Sequence, residues 1–239
     1  MFDPAALRAR LESVRDRIAN AAGRAGRDPS SIILVAVSKT FPPSAIRAAS
    51  ALGQLDFGEN KVQEALGKIA ETTDVPARWH LIGHLQSNKI KKGAAAFQTI
   101  HSVHDVTLVE KLDREAGQLG RTIDLLIQVD LAREATKSGV PEEGVRPVVD
   151  AALAASHLRL AGLMVLPPEA DDPNDARPWF ARLRRLRDDL VSEGVPGTAL
   201  AHLSMGMSHD FEVAIEEGAT IVRVGSAIFG ERRTTADAG

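Results

Sequence analysis

A lysine that closes a run of apolar residues is suited to attack a carbonyl. Lys39 stands in Ser38-Lys39-Thr40, just after Ile32-Ile33-Leu34-Val35-Ala36-Val37. Burial disfavours an ammonium and lowers its pKa, and the neutral amine that results is a nucleophile. The plainer reading is a lysine that reaches from a strand end to solvent. Two small loops late in the chain, Ser204-Met205-Gly206-Met207-Ser208 and Gly225-Ser226-Ala227, have the makings of an anion cradle. Glycine lets backbone N–H groups come close, and serine adds a hydroxyl donor. They could equally be ordinary turns. Arg223 lies between Val222 and Val224, where a guanidinium is costly unless it is paired or hydrogen-bonded. Facing inward it can donate to a ring nitrogen; facing outward it would meet an acidic helix residue.

These residues must be brought together by the elements that carry them. Ile32–Val37 is short, β-branched and apolar on both faces, as in a parallel sheet buried on both sides. Further strands are expected at Leu55–Phe57, Trp79–Ile82, Thr99–His101, Ile123–Val129, Leu158–Met164, Leu200–Ser204 and Thr220–Val224. Helical patterns alternate with them, at Lys61–Ile69, Lys89–Ala96, Val106–Leu119, Val145–Ala155, Ala176–Ser192 and Asp210–Glu217. Leu7, Leu11, Val14 and Ile18 mark a first helix, and Pro42 and Pro43 open another through Ile46 to Leu52. About eight β-α units in 239 residues predict a single α/β chain closed as a (β/α)8 TIM-type barrel, with an open doubly wound sheet as the alternative. A barrel gathers its site at the C-terminal ends of the strands and often holds phosphate in the loops after the last two. Lys39, the two loops and an inward Arg223 would then meet at one rim. An amine for an aldehyde, a phosphate cradle and a ring-nitrogen partner are what a pyridoxal 5'-phosphate (PLP) site needs.

Composition narrows the remaining choices. Lys+Arg 29 against Asp+Glu 32 gives a net charge of −3, which argues against nucleic acid or an anionic membrane as a partner. The cysteine count of 0 removes disulfides, thiolate nucleophiles and cysteine metal sites. No apolar run reaches the ~20 residues of a membrane span, and no signal peptide is evident, so a cytoplasmic protein is expected. His80 and His84, and His101 and His104, are spaced by four and three residues. They sit at strand ends and not on a helix face, so no metal site is expected. Glu134 and Lys137 read as loop residues. Arg182, Arg184, Arg185 and Arg187, with Asp188 and Asp189, read as a solvated helix face.

Taken together, the motifs resemble a known family. Leu34-Val35-Ala36-Val37-Ser38-Lys39-Thr40, Phe57-Gly58-Glu59-Asn60, Val62-Gln63-Glu64, Trp79 through Lys89, Gly162-Leu163-Met164, Leu203 through Ser208, and Val222 through Gly230 are similar to stretches of the YggS/PROSC family of PLP homeostasis proteins. The resemblance spans nearly the whole chain. It implies the barrel of fold-type III PLP proteins, like the N-terminal domain of alanine racemase but without a C-terminal β domain. The barrel would occupy residues 1–230 and a polar tail 231–239. It implies Lys39 as the Schiff-base lysine, Arg223 at the pyridine nitrogen, and Ser204, Gly225 and Ser226 around the phosphate, with Asn60 and Met205 among the cofactor-binding residues. It implies a monomer or weak dimer that supplies PLP, with PLP-requiring apo-enzymes as recipients and no established turnover. The chain departs from the family's pattern at Phe41, Lys61, Asp130 and Ser226, which bear on loop contacts at the rim.

Two enzymatic alternatives remain: a PLP-dependent amino-acid racemase and a cofactor-free Schiff-base aldolase. Alanine racemase relatives use a tyrosine opposite the lysine, and the tyrosine count here is 0. A guanidinium at the ring nitrogen also makes the ring a weaker electron sink. An aldolase would use the same lysine and phosphate pocket for its substrate.

Overall fold

A computed structural model of the protein describes residues 3–133 and 138–231. Glu134 and Lys137, and the tail from residue 232 on, lie outside the described residues. Eight parallel strands close into a barrel: β1 (Ile33–Val37), β2 (Asp56–Glu59), β3 (Arg78–Leu81), β4 (Thr99–Val103), β5 (Ile123–Asp130), β7 (Leu158–Val165), β8 (His202–Ser204) and β9 (Ile221–Val224). A two-residue strand, β6 (Val140–Pro141), extends the end of β5. The ring closes through the β4–β5 pairing and through β1 against β9. The predicted TIM-type barrel is therefore the observed fold, and among the described residues no β domain follows β9.

The helices α2 (Pro43–Ala51), α3 (Val62–Glu71), α4 (Ile90–Ala96), α5 (Val106–Gln118), α6 (Val145–Ala154), α7 (Arg177–Ser192) and α8 (Phe211–Glu216) alternate with the strands. Among the described residues the last strand is followed only by the short α9 (Ser226–Phe229), where the sequence suggests a loop. Its place in the ring is filled by α1 (Pro4–Arg24), which packs against α2, α8 and α9. Leu7, Leu11, Val14 and Ile18 all face the core, as their spacing predicts. Asp3 caps α1 by accepting the Ala5 N–H at 2.9 Å. The arginine-rich face of α7 is more engaged than expected. Arg182 reaches Glu142, and Arg184 reaches Glu217.

Several strand boundaries differ from the expected ones. Strand β2 runs on through Gly58 and Glu59, which the sequence reading placed in the loop after it. These residues pair in register with His80 and Leu81 of β3. Leu200 belongs to a 3-10 turn, Gly197–Leu200, and β8 is shorter than expected.

Most of the apolar core lies between barrel and helices. The barrel interior has only a small separate floor of Val35, Leu126, Ala161, Met164 and Ile221. The rest of the interior carries polar side chains, and these build the site.

Candidate functional site

The C-terminal mouth of the barrel holds a cavity of about 430 Å³. Its walls include Lys39, Asn60, Arg223, Gly225 and Ser226, five of the seven residues singled out from the sequence. Val37, Phe41, Ile82, Leu166 and Pro167 supply apolar surface, and Met207, Ser208, His209, Glu169 and Gly230 complete the lining.

Lys39 is carried by a tight turn in which the Phe41 N–H donates to the Ser38 carbonyl at 3.0 Å. The next residue, Thr40, has φ 71°, in the left-handed region. A β-branched residue there costs about 1–3 kcal/mol unless its surroundings enforce it. They do. The Thr40 N–H donates to Glu64 Oε1 at 2.5 Å. That same oxygen accepts from Lys68 Nζ at 2.7 Å. Lys68 also donates to the Ser38 carbonyl and to Glu59 Oε1, each at 2.7 Å, and the Ser38 hydroxyl donates to Glu59 Oε1 at 2.6 Å. The residues on both sides of Lys39 are thus clamped by one buried network. Glu59 is fully buried, and its Oε2 has no hydrogen-bond partner. Burial pushes the Glu59 carboxyl up, against the pull of Lys68 and Ser38. Phe41 then packs on Phe229, ring centroids 5.0 Å apart, which ties the Lys39 turn to α9.

On β9, the neighbour of β1, Arg223 is inward-facing and almost wholly buried. Burial lowers its pKa to about 10, so it stays a cation at neutral pH. Nη1 donates to the Ser204 hydroxyl at 2.6 Å and Nη2 to the Val165 carbonyl at 3.0 Å. Behind Ser204 the polar chain continues. Ser204 Oγ lies 2.9 Å from His101 Nδ1, His101 Nε2 3.0 Å from His80 Nδ1, and His80 Nε2 3.0 Å from Asp56 Oδ1. Arg78 closes it with two hydrogen bonds to Asp56, at 2.7 and 2.6 Å. Burial first, then the charges on neighbouring groups, holds the His101 pKa well below the ordinary histidine value. Burial also pushes the Asp56 carboxyl up, but the hydrogen bonds from His80 and Arg78 outweigh it and the net shift is down.

Ser204, expected at the phosphate, and Met205, expected at the cofactor, are fully buried and off the cavity wall. The Ser204 hydroxyl is committed to Arg223 and His101. The exposed part of that loop is Met207-Ser208, and Ser208 Oγ accepts N–H groups from Gly225 at 3.1 Å and Ala227 at 3.4 Å. The loop turns at Gly206, φ +90°, where a Cβ would lie 2.6 Å from Ala214 Cβ. The signal for Ser208 was present in the sequence; which serine of the loop faces the cavity follows from the turn at Gly206. Asn60 is held against Gly83, where any Cβ would sit 2.4 Å from the Asn60 carbonyl oxygen.

His80 and His101 were expected to have no metal-binding role. They meet each other inside the barrel, while His84 and His104 pack with ring centroids 5.2 Å apart. Among the described residues, no group of three or more His, Asp or Glu side chains could hold a metal ion.

Comparison with known proteins places this geometry. Residues 5–233 match the family model described as alanine racemase, N-terminal domain. A protein of Aquifex aeolicus strain VF5 named pyridoxal phosphate homeostasis protein is 44% identical, over 94% of this chain and 97% of that one. The chain belongs to the pyridoxal phosphate homeostasis protein family. The structure of its relative PipY from Synechococcus elongatus PCC7942, with PLP bound, is 41% identical, with a TM-score of 0.83 over 94% of this chain and all of PipY. Alanine racemase of Clostridium difficile 630 shares the fold at 16% identity, with a TM-score of 0.73 over 98% of this chain. This chain covers 59% of that racemase, so the family's barrel corresponds to part of the larger enzyme.

Proposed function

We propose that the protein binds PLP at the barrel mouth, through the Lys39 amine, and acts in PLP homeostasis and supply. The observation that carries this is the cavity itself. One pocket gathers a lysine on a clamped turn, a buried inward arginine, and a serine–glycine loop pair, in a volume suited to one small cofactor. Lys39 would hold the aldehyde carbon. Arg223 would face the pyridine nitrogen. Ser208, Gly225 and Ser226 would hold the phosphate, and Asn60 would border the ring. When bound, PLP supplies an aldehyde and an electron-withdrawing ring.

The chain's own residues favour a carrier over a catalyst. Arg223 remains protonated at neutral pH, which disfavours a proton on a ring nitrogen beside it. With no tyrosine in the chain, the second acid–base group that racemisation requires is not supplied by that residue type. The naming of relatives as homeostasis proteins supports the same reading. Passing PLP to apo-enzymes fits a cavity that opens at the barrel mouth. No helix of the described residues is long and apolar enough to cross a membrane.

The test is an absorption spectrum with added PLP, before and after borohydride, followed by peptide mapping. A visible band fixed by reduction on Lys39, and lost in Lys39→Ala, is the expected result. Adducts scattered over surface lysines would overturn the proposal.

A further inference from the structure

We propose that Asp56, His80, His101 and Ser204 form a one-way hydrogen-bonded relay that positions the Arg223 guanidinium and balances its charge from the opposite end of the barrel. The four residues come from β2, β3, β4 and β8. The contact between His101 and Ser204 crosses the interior, because β4 and β8 are not neighbours in the ring.

The directions of the hydrogen bonds follow from chemistry. A carboxylate only accepts, so His80 Nε2 carries the proton shared with Asp56. In a neutral imidazole the other nitrogen then accepts. His80 Nδ1 therefore takes the proton of His101 Nε2, and His101 Nδ1 takes the hydroxyl proton of Ser204. Ser204 Oγ is left with lone pairs for Arg223, and a guanidinium can only donate. Every link points from Arg223 toward Asp56. A chain of this kind polarises cooperatively, since each donor strengthens the next.

Arg223 needs such help. Among the ion pairs of the described residues, none involves it, and its two guanidinium partners are a hydroxyl and a backbone carbonyl. The acidic group that acts on it electrostatically, Asp210, already accepts the Met207 N–H at 2.6 Å. The relay links the buried cation to a carboxylate through two imidazoles. At the far end Asp56 is shared with Arg78, whose side chain is 58% exposed. These four residues are positioning residues: they act on a bound ring only through Arg223. The role of Arg223 at that ring rests on the function proposed above, whereas the relay itself does not.

The competing arrangement is an imidazolium at His80. His101 would then accept at Nε2 and donate from Nδ1, and the one-way order would be broken. Long-range proton–nitrogen spectra of the imidazoles, recorded on wild-type protein without PLP, separate the two. The expected result is a neutral Nε2–H tautomer for both His80 and His101. An Nδ1–H tautomer of His101, or an imidazolium at either ring, would overturn the relay. Because no cofactor is present, this outcome is independent of PLP binding and of the Lys39 adduct. Ser204→Ala and Asp56→Asn complete the test. With PLP added, each is expected to weaken binding about tenfold, the scale at which outer-shell partners act. Each is also expected to displace the absorption maximum of the bound cofactor, which a purely structural loss would not. Unchanged affinity and spectrum in both variants would mean that the chain does not act on Arg223.

Discussion

Two polar networks stand behind Lys39 and Arg223, which the neighbouring strands β1 and β9 carry, and they are built on different principles. Beneath Lys39, charges meet directly: Lys68 is held between Glu59 and Glu64, with one carboxylate oxygen of Glu59 left without a partner. Beneath Arg223, a hydroxyl and two imidazoles stand in series before Asp56, and every contact between Asp56 and Arg223 is a hydrogen bond of 2.6–3.0 Å. The first network clamps a backbone turn through the atoms flanking Lys39. The second steers a side chain. A nucleophile on a strained turn needs its backbone fixed, whereas a ring-nitrogen partner needs its fork aimed and its charge tolerated.

The largest effect should come from breaking the direct ion pair. Lys68→Met removes the cation from a buried carboxylate and should cost about 3–5 kcal/mol in denaturant unfolding. It should also release the Thr40 turn and lower PLP capture by Lys39. A loss below about 1 kcal/mol would mean the pair is not the clamp the geometry describes. Ser204→Ala, in the other network, leaves one Arg223 donor and one His101 nitrogen without partners. It should cost about 1–3 kcal/mol by the same measurement. If it matched Lys68→Met, the distinction between a direct ion pair and a hydrogen-bonded series would fail.

One buried group of each network, His101 and Glu59, should also differ from the other in the sign of its pH dependence. His101 has a folded pKa well below 6.5, so below that value the unfolded chain binds a proton that the native one refuses. Its contribution is fully present above pH 6.5 and is lost as the pH falls, by at most about 1.4 kcal/mol per pH unit for one proton. His101→Gln should flatten that slope, measured as unfolding free energy between pH 5 and 6.5. Glu59 is shifted the other way, above 4.5. The native state holds its proton longer, so its contribution is present at acid pH and is lost as the pH rises through the folded value. Glu59→Gln keeps Oε1 as an acceptor and should remove this smaller, opposite slope. Slopes of the same sign in both variants would contradict the assignment of burial as the dominant cause.

The barrel was legible because its strands are short apolar runs and its helices repeat at helical spacing, and neither signal depends on distant partners. Lys39, Arg223, Gly225 and Ser226 were legible for a related reason: each is a polar or flexible residue at the end of an apolar strand. The networks were not legible. His80 and His101 are separated by twenty-one positions, and His101 and Ser204 by more than a hundred. Only closure of the ring brings β4 opposite β8. Glu59 was misplaced because Phe57-Gly58-Glu59-Asn60 reads as a strand followed by a polar turn, whereas the pairing with β3 carries the strand on to Glu59. Ser208 was passed over for Ser204 because a one-dimensional pattern cannot tell which serine of a loop faces inward.

The pairing of β1 with β9 has a consequence for how the site comes into being. Lys39 is synthesised well before Arg223, Gly225 and Ser226. The two halves of the pocket meet only where the first strand finds the final one, at the seam that seals the cylinder. A nascent chain therefore carries the lysine before it has the pocket, and capture of a cofactor there waits until β9 has been made and paired with β1. Once bound, a molecule touching both sides of that seam would act as a rivet between the first and last strands of the barrel, opposing the slow, long-range step by which such a barrel reopens.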